Sequence, residues 1–105
     1  MSFHVTHREG RQEANVPISI FEELFLEAED NTEDNEHTSV SVTHESEWDL
    51  GYYGGGYLIF ENLEDGHERH MRAVSKSEVL RLWVLLSEGK ISEVENADWL
   101  PGYGS

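Results

Sequence analysis

The chain has 105 residues, 22 Asp and Glu against 7 Lys and Arg, a formal net charge of −15, 37% hydrophobic residues and no cysteine. That length predicts one domain spanning 1–105, with enough apolar content for a modest core and too much for a disordered chain. Disulfides, thiolate metal sites and a cysteine nucleophile are excluded, and no apolar stretch approaches the roughly 20 residues that cross a bilayer.

The opening residues, Met-Ser-Phe-His-Val-Thr-His-Arg, lack a basic segment followed by an apolar run, so they do not read as a secretion signal. A soluble, cytoplasmic protein is expected. Phe3 to His7 alternates, with Phe3 and Val5 on one face, and predicts a short strand. Residues 8 to 16 are polar and irregular. "VPISIFEELFLEAED" predicts a helix. Ser19 and Glu22 have capping-box spacing, and Ile20, Phe21, Leu24, Phe25 and Ala28 form an apolar stripe. The helix ends near Asp30. His37 to His44 alternates again, with Val40 and Val42 inward and β-branched residues that favour a strand. Strands are then expected over Glu47 to Tyr53 and Tyr57 to Leu63, joined by Gly54-Gly55-Gly56. Asp65-Gly66 marks the next turn, and Arg69 to Val74 the returning strand. "SKSEVLRLWVLLSEGK" predicts a second helix, with Ser75 and Glu78 at capping-box spacing and Gly89 at the C-terminal cap. Ile91, Val94, Trp99 and Leu100 anchor the tail, and Pro101-Gly102 ends regular structure. The expected fold is α+β, an antiparallel sheet of four to five strands with two helices on one face, in the order β-α-β-β-β-β-α.

The charge is unevenly placed. Residues 12 to 68 hold sixteen acids and no Lys or Arg, whereas the remainder holds six acids and all seven basic residues. Such a field repels phosphate backbones and anionic lipid, so neither nucleic acid nor a membrane is an expected partner. It favours a basic protein. The plainer reading is acidity that only keeps the chain soluble.

Sites of chemistry are hard to assemble from these residues. "LEAEDNTEDNEH" (26 to 37) packs six acids into twelve positions. Read as a calcium loop from Asp30, it places Asn35 where the turn glycine belongs and Ser41 at the bidentate position. No histidine pair has a metal-binding spacing, and the six histidines read as solvated groups beside acids. Gly54-Gly55-Gly56 lacks the Lys and the following helix of a phosphate loop. Glu45 and Glu47 have no nucleophile to serve. No catalytic residue, metal ligand or cofactor is therefore assigned, and the chain is not expected to be an enzyme. "ESEWDLGYYGGGY" is the stretch that most suggests a contact surface. It interleaves Glu45, Glu47 and Asp49 with Trp48, Tyr52, Tyr53 and Tyr57. Strand alternation puts Glu47, Asp49 and Tyr53 on one face and Trp48, Leu50 and Tyr52 on the other. Trp48 and Tyr52 read equally well as core. Aromatic anchors with an acidic rim suit a basic protein.

The element order, together with "SKSEVLRLWVLLSEGKISEVENADW" and "GYYGGGYLIFEN", resembles the bacterial immunity proteins of polymorphic toxin systems, in particular the first-numbered family. There a closing helix is followed by a Gly, a polar segment and a Trp, matched here by Ser75 to Glu88, Gly89 and Trp99. The likeness covers residues 37 to 100. It implies a cytosolic antitoxin that binds and occludes one cognate basic toxin domain, such as a nuclease. The expected contact set is Asp30, Glu33, Asp34, Glu36, Glu45, Glu47, Asp49, Tyr52 and Tyr53, on a monomer or weak homodimer. A small adaptor pairing through an edge strand, and a divalent-metal module, are the other readings the sequence allows.

Overall fold

Strand alternation sorts the central residues onto two faces. In a computed structural model of the chain, which describes residues 2–29 and 39–102, the elements run β1 (Phe3–Thr6), β2 (Gln12–Ala14), α1 (Ile20–Glu29), β3 (Val40–His44), β4 (Trp48–Tyr52), β5 (Leu58–Asn62), β6 (Gly66–Met71), α2 (Lys76–Ser87), α3 (Ile91–Glu95) and β7 (Leu100–Pro101). The strands form one antiparallel sheet in the order β2-β1-β3-β4-β5-β6-β7. The α+β class stands, but the sheet has seven strands and the described residues carry three helices, more than the sequence suggested. The additions are short. β2 is three exposed residues, Gln-Glu-Ala, with neither alternation nor β propensity. β7 is a Leu-Pro pair and α3 a single turn of five residues.

Register aligns Val5, Val42, Leu50 and Phe60 in one row and Val40, Tyr52 and Leu58 in the next. All are buried, and all join one core with Phe21, Leu24 and Phe25 of α1, Val79, Leu82, Trp83 and Leu86 of α2, and Val94 of α3. Trp83 sits at the centre. Its indole N–H donates to the Leu50 carbonyl at 2.9 Å, and its ring meets Phe21 and Tyr52 at 5.9 and 6.4 Å. Helix α2 starts on Ser75, whose hydroxyl accepts from the Glu78 N–H at 3.3 Å. The Glu78 carboxylate turns to Arg81 instead of completing a capping box. The helix closes on Gly89 (φ 78), with Lys90 N–H donating to Leu85 and Gly89 N–H to Leu86, a Schellman ending. Trp99 fastens the tail: its N–H donates to the Val94 carbonyl at 2.7 Å and its ring stacks on Phe60 at 5.3 Å.

The triple glycine is set by close packing as well as by turn geometry. A Cβ on Gly54 would stand 2.7 Å from the Ala28 carbonyl oxygen, and one on Gly56 3.0 Å from Ala73 and Val74. The β4–β5 turn is wedged between the end of α1 and the strand-to-helix connection after β6. Glu29 completes the join, accepting from the Gly55 N–H at 3.0 Å and from the Tyr52 hydroxyl. Gly54→Ala is expected to destabilise by about 3 kcal/mol, from its positive φ plus backbone displacement. Gly55→Ala, with open space around it, should cost about 1 kcal/mol. Chemical denaturation of the two variants checks the difference.

Three of the histidines do not behave as solvated surface groups: His7, His44 and His70 are buried. His7, 4% exposed, bridges elements. Its Nδ1 meets Glu27 of α1 at 2.7 Å and its Nε2 meets Glu13 of β2. Burial works against the imidazolium, but the bonds to Glu27 and Glu13 outweigh it and raise the pKa above the ordinary 6.5. Charge on His7 therefore stabilises the fold. That contribution is complete below about 6.5 and is lost as pH rises through the raised value. Wild type and His7→Gln should differ most in thermal midpoint near pH 6 and converge as the pH is raised.

Candidate functional site

The three described helices pack on one face of the sheet, and no described helix covers the opposite face. The register places Thr6, Ser41, Gly51, Ile59, His70 and Leu100 in one row across that face. His4, Thr43, Asp49 and Glu61 form the row beside it. Tyr53 and Tyr57 extend β4 and β5 on the same side, linked by the Tyr53 N–H to the Tyr57 carbonyl at 2.9 Å. Their rings lie 5.7 Å apart, and the Arg72 guanidinium sits 5.0 Å over Tyr57.

Asp49 and Glu61 are direct cross-strand partners, an arrangement of like charges that costs stability. Asp49 is partly buried and is held by hydroxyls: Thr43 Oγ1 donates at 2.6 Å, and Ser41 donates as well. Among the described residues no Lys or Arg pairs with it. Burial first, and then the field of Glu61, push its carboxyl up to about 6, against the opposing effect of the hydroxyls. Tyr53 is likewise raised, by burial and then by Glu61 and Asp49.

Two neighbouring turns lie at one end of the strands that carry this row. Leu63 N–H donates to the Glu47 carbonyl at 2.8 Å, and the Asn62 amide to the Ser46 carbonyl at 3.3 Å. The β3–β4 and β5–β6 turns are thus stitched side by side. The Asn62 side-chain oxygen also accepts the N–H groups of Glu64 and Asp65 at 2.9 and 3.0 Å. Glu45, Glu47, Glu64 and Asp65 share this end of the sheet, with Leu63 among them 54% exposed. The nearest strand cation, Arg69, faces the core side. It lies over Trp48 and Phe60 at 5.6 Å and pairs with Glu95 at 3.5 Å.

The expected contact set divides. Asp30, Glu33, Asp34 and Glu36 lie outside the described residues. The flanking residues Glu29 and Ser39 both lie at the Gly54–Gly56 end of the sheet, through contacts with Tyr52 and Tyr53. Glu45 and Glu47 occupy the other end, about 15 Å away by strand rise. Glu47 belongs to the turn (φ 74) and not to β4. Asp49 and Tyr53 share the helix-free face, as alternation required. Tyr52 leaves the set. Its ring is 1% exposed and stacks on Phe25 at 4.8 Å. Its hydroxyl is engaged by Glu29 and the Gly56 N–H, and burial and then Glu29 push it up to about 12. Glu61, Glu64 and Asp65 were missed. The recognised Asp65-Gly66 turn was the signal that could have paired them with Glu45 and Glu47.

Among the described residues no three His, Asp or Glu side chains are grouped to hold a metal ion, and no helix is long and apolar enough to cross a membrane. A shallow cleft lined by Arg81, Glu93, Asn96 and Ala97 lies by α2 and α3, away from the acid row. What the helix-free face and its two turns offer is negative charge, hydroxyls and two tyrosine rings.

Comparison with protein-family models, with curated proteins and with solved structures gave no match to this chain.

A carboxyl raised by its surroundings stabilises the fold when protonated and costs stability when ionised. The cost of Asp49 is absent below about pH 4, grows between 4 and 6, and is full above 6. Asp49→Asn keeps the hydroxyl contacts without the charge. It is expected to stabilise the chain by on the order of 1–3 kcal/mol at pH 7.5, with the gain vanishing near pH 4. Thermal unfolding at the two pH values checks this.

Proposed function

We propose that the chain is a non-enzymatic inhibitor of the immunity type, a cytoplasmic antitoxin that binds a basic toxin domain, such as a nuclease, and occludes it. One observation carries the reading: two turns rich in acids are stitched side by side at the end of the strands that carry Asp49 and Glu61 on a sheet face that no described helix covers. Acids held in one region by backbone pairing need little reorganisation to meet a cationic surface, and they steer its approach. Tyr53, 41% exposed, and Leu63 supply apolar contact inside the acidic field. The mechanism is steric and electrostatic occlusion.

The likeness to the first-numbered family of polymorphic-toxin immunity proteins supports the same reading. The residues that carry it form α2, capped by Ser75 and closed on Gly89, and the tail fastened by Trp99. The acids at 30–36 are proposed as a further part of the contact surface.

The test is affinity capture from the native host at low salt, followed by co-expression with the captured partner. A basic domain should be retained, and co-expression should restore growth that the domain alone arrests. The double variant Glu47→Lys with Glu64→Lys should slow association by about ten-fold or more, and raised salt should have a comparable effect on the wild type. Recovery of no basic partner, or association rates indifferent to salt and to the reversal, overturns the reading.

A further inference from the structure

Gly51 stands in the middle of the helix-free face with no side chain of its own, and two neighbours, Asp49 of β4 and Tyr53 just beyond it, lean toward it. From the point a Cβ would occupy, Tyr53 Cε1 lies 3.4 Å away and Asp49 Oδ2 3.9 Å. An aromatic ring and a carboxylate therefore converge over one position of the sheet. Ser41 and Thr43 hold the carboxylate from β3, and Glu61 faces it from β5. Tyr57, next along the face, already has a guanidinium over its ring, that of Arg72 at 5.0 Å. Tyr53 has no such contact among the described residues and is exposed beside the acid.

A planar cation fits this arrangement better than any other group. A guanidinium stacks on an aromatic face and forks onto a carboxylate at the same time, which an ammonium does not. The contact that Arg72 makes with Tyr57 is an intramolecular example of half of this arrangement, on the same face. The turn acids differ in kind. They lie at the end of the sheet, suited to long-range attraction more than to residence.

We propose that Asp49 and Tyr53, brought together over Gly51, form the subsite that receives an arginine side chain of the basic partner. This rests on the reading of the chain as a binder of basic protein, and it names the group that the central face takes. The turn acids attract the partner; the Asp49–Tyr53 subsite retains it.

The probe is hexa-arginine, titrated at low salt and pH 7.5 into the isotope-labelled 105-residue chain and followed by amide NMR shifts. The largest shifts are expected in β4 and β5, over Asp49 to Tyr53 and Tyr57 to Glu61. Asp49→Asn should weaken the complex by about ten-fold and Tyr53→Ala by about three-fold. Glu88→Gln removes the same unit of charge beyond the end of α2 and should change affinity by less than about two-fold. Amide spectra of the free variants establish that each is folded. Shifts confined to the 45–47 and 63–65 turns, or equal losses for Asp49→Asn and Glu88→Gln, overturn the subsite and leave the acidic-surface reading standing. No shifts at all at low salt overturn both.

Discussion

Leu50 and Tyr52 of β4 face Trp83, and that contact settles which side of the sheet every other β4 residue occupies. Strand periodicity is two, so a slip of one residue would send Leu50 and Tyr52 to solvent and Asp49 and Gly51 into the core. The penalty for that exchange is large. Trp83, Leu50 and Tyr52 are all fully buried, and truncating a buried Trp alone costs about 3–5 kcal/mol. The indole bond to the Leu50 carbonyl pins the pairing along β4 as well as its face. The outward placement of Asp49, Gly51 and Tyr53 is thus a consequence of core packing on the opposite side. The acids on that face are held in place by apolar packing on the other side of the sheet.

Two ends of the sheet are built differently, and the difference bears on what each can do. At the Gly54–Gly56 end the chain is tightly packed: a turn without side chains sits against α1, and Glu29 ties Tyr52, Gly55 and the helix together. At the other end, two turns are joined by backbone and Asn62 bonds, Glu45 accepts the Ser2 N–H at 2.8 Å, and Glu64 and Asp65 are exposed. The cost of gathering like charges falls on the folded state. The raised pKa of Asp49 is where that cost is most visible.

Much of this was legible in the residues alone. The apolar stripes of α1 and α2, the two hairpin turns and the cap at Gly89 follow from periodicity and glycine placement, and each element lies within a few residues of its expected bounds. Alternation alone placed Asp49 and Tyr53 together and Tyr52 opposite. Including Tyr52 in the contact set ran against that same alternation. Other features carry no local signal. The strand at Gln12–Ala14 exists because β1 offers it backbone partners, and α3 because Val94 completes the core beside α2. The burial of His7 depends on Glu13 and Glu27 arriving from separate elements. Glu61, Glu64 and Asp65 join the candidate surface through the pairing of Trp48 with Asn62, a register that spacing does not reveal.

The margins of the sheet have their own consequence. β2 offers only three residues along its outer side, and β7 ends in Pro101, which has no N–H to extend a ladder. A sheet bounded this way gives a passing strand little to template on, and proline at a margin is a recognised defence against fibrous stacking. Edge-to-edge pairing between copies of the chain is therefore disfavoured at both margins, which leaves the faces of the sheet, and not its rims, as the surfaces on which another molecule could settle.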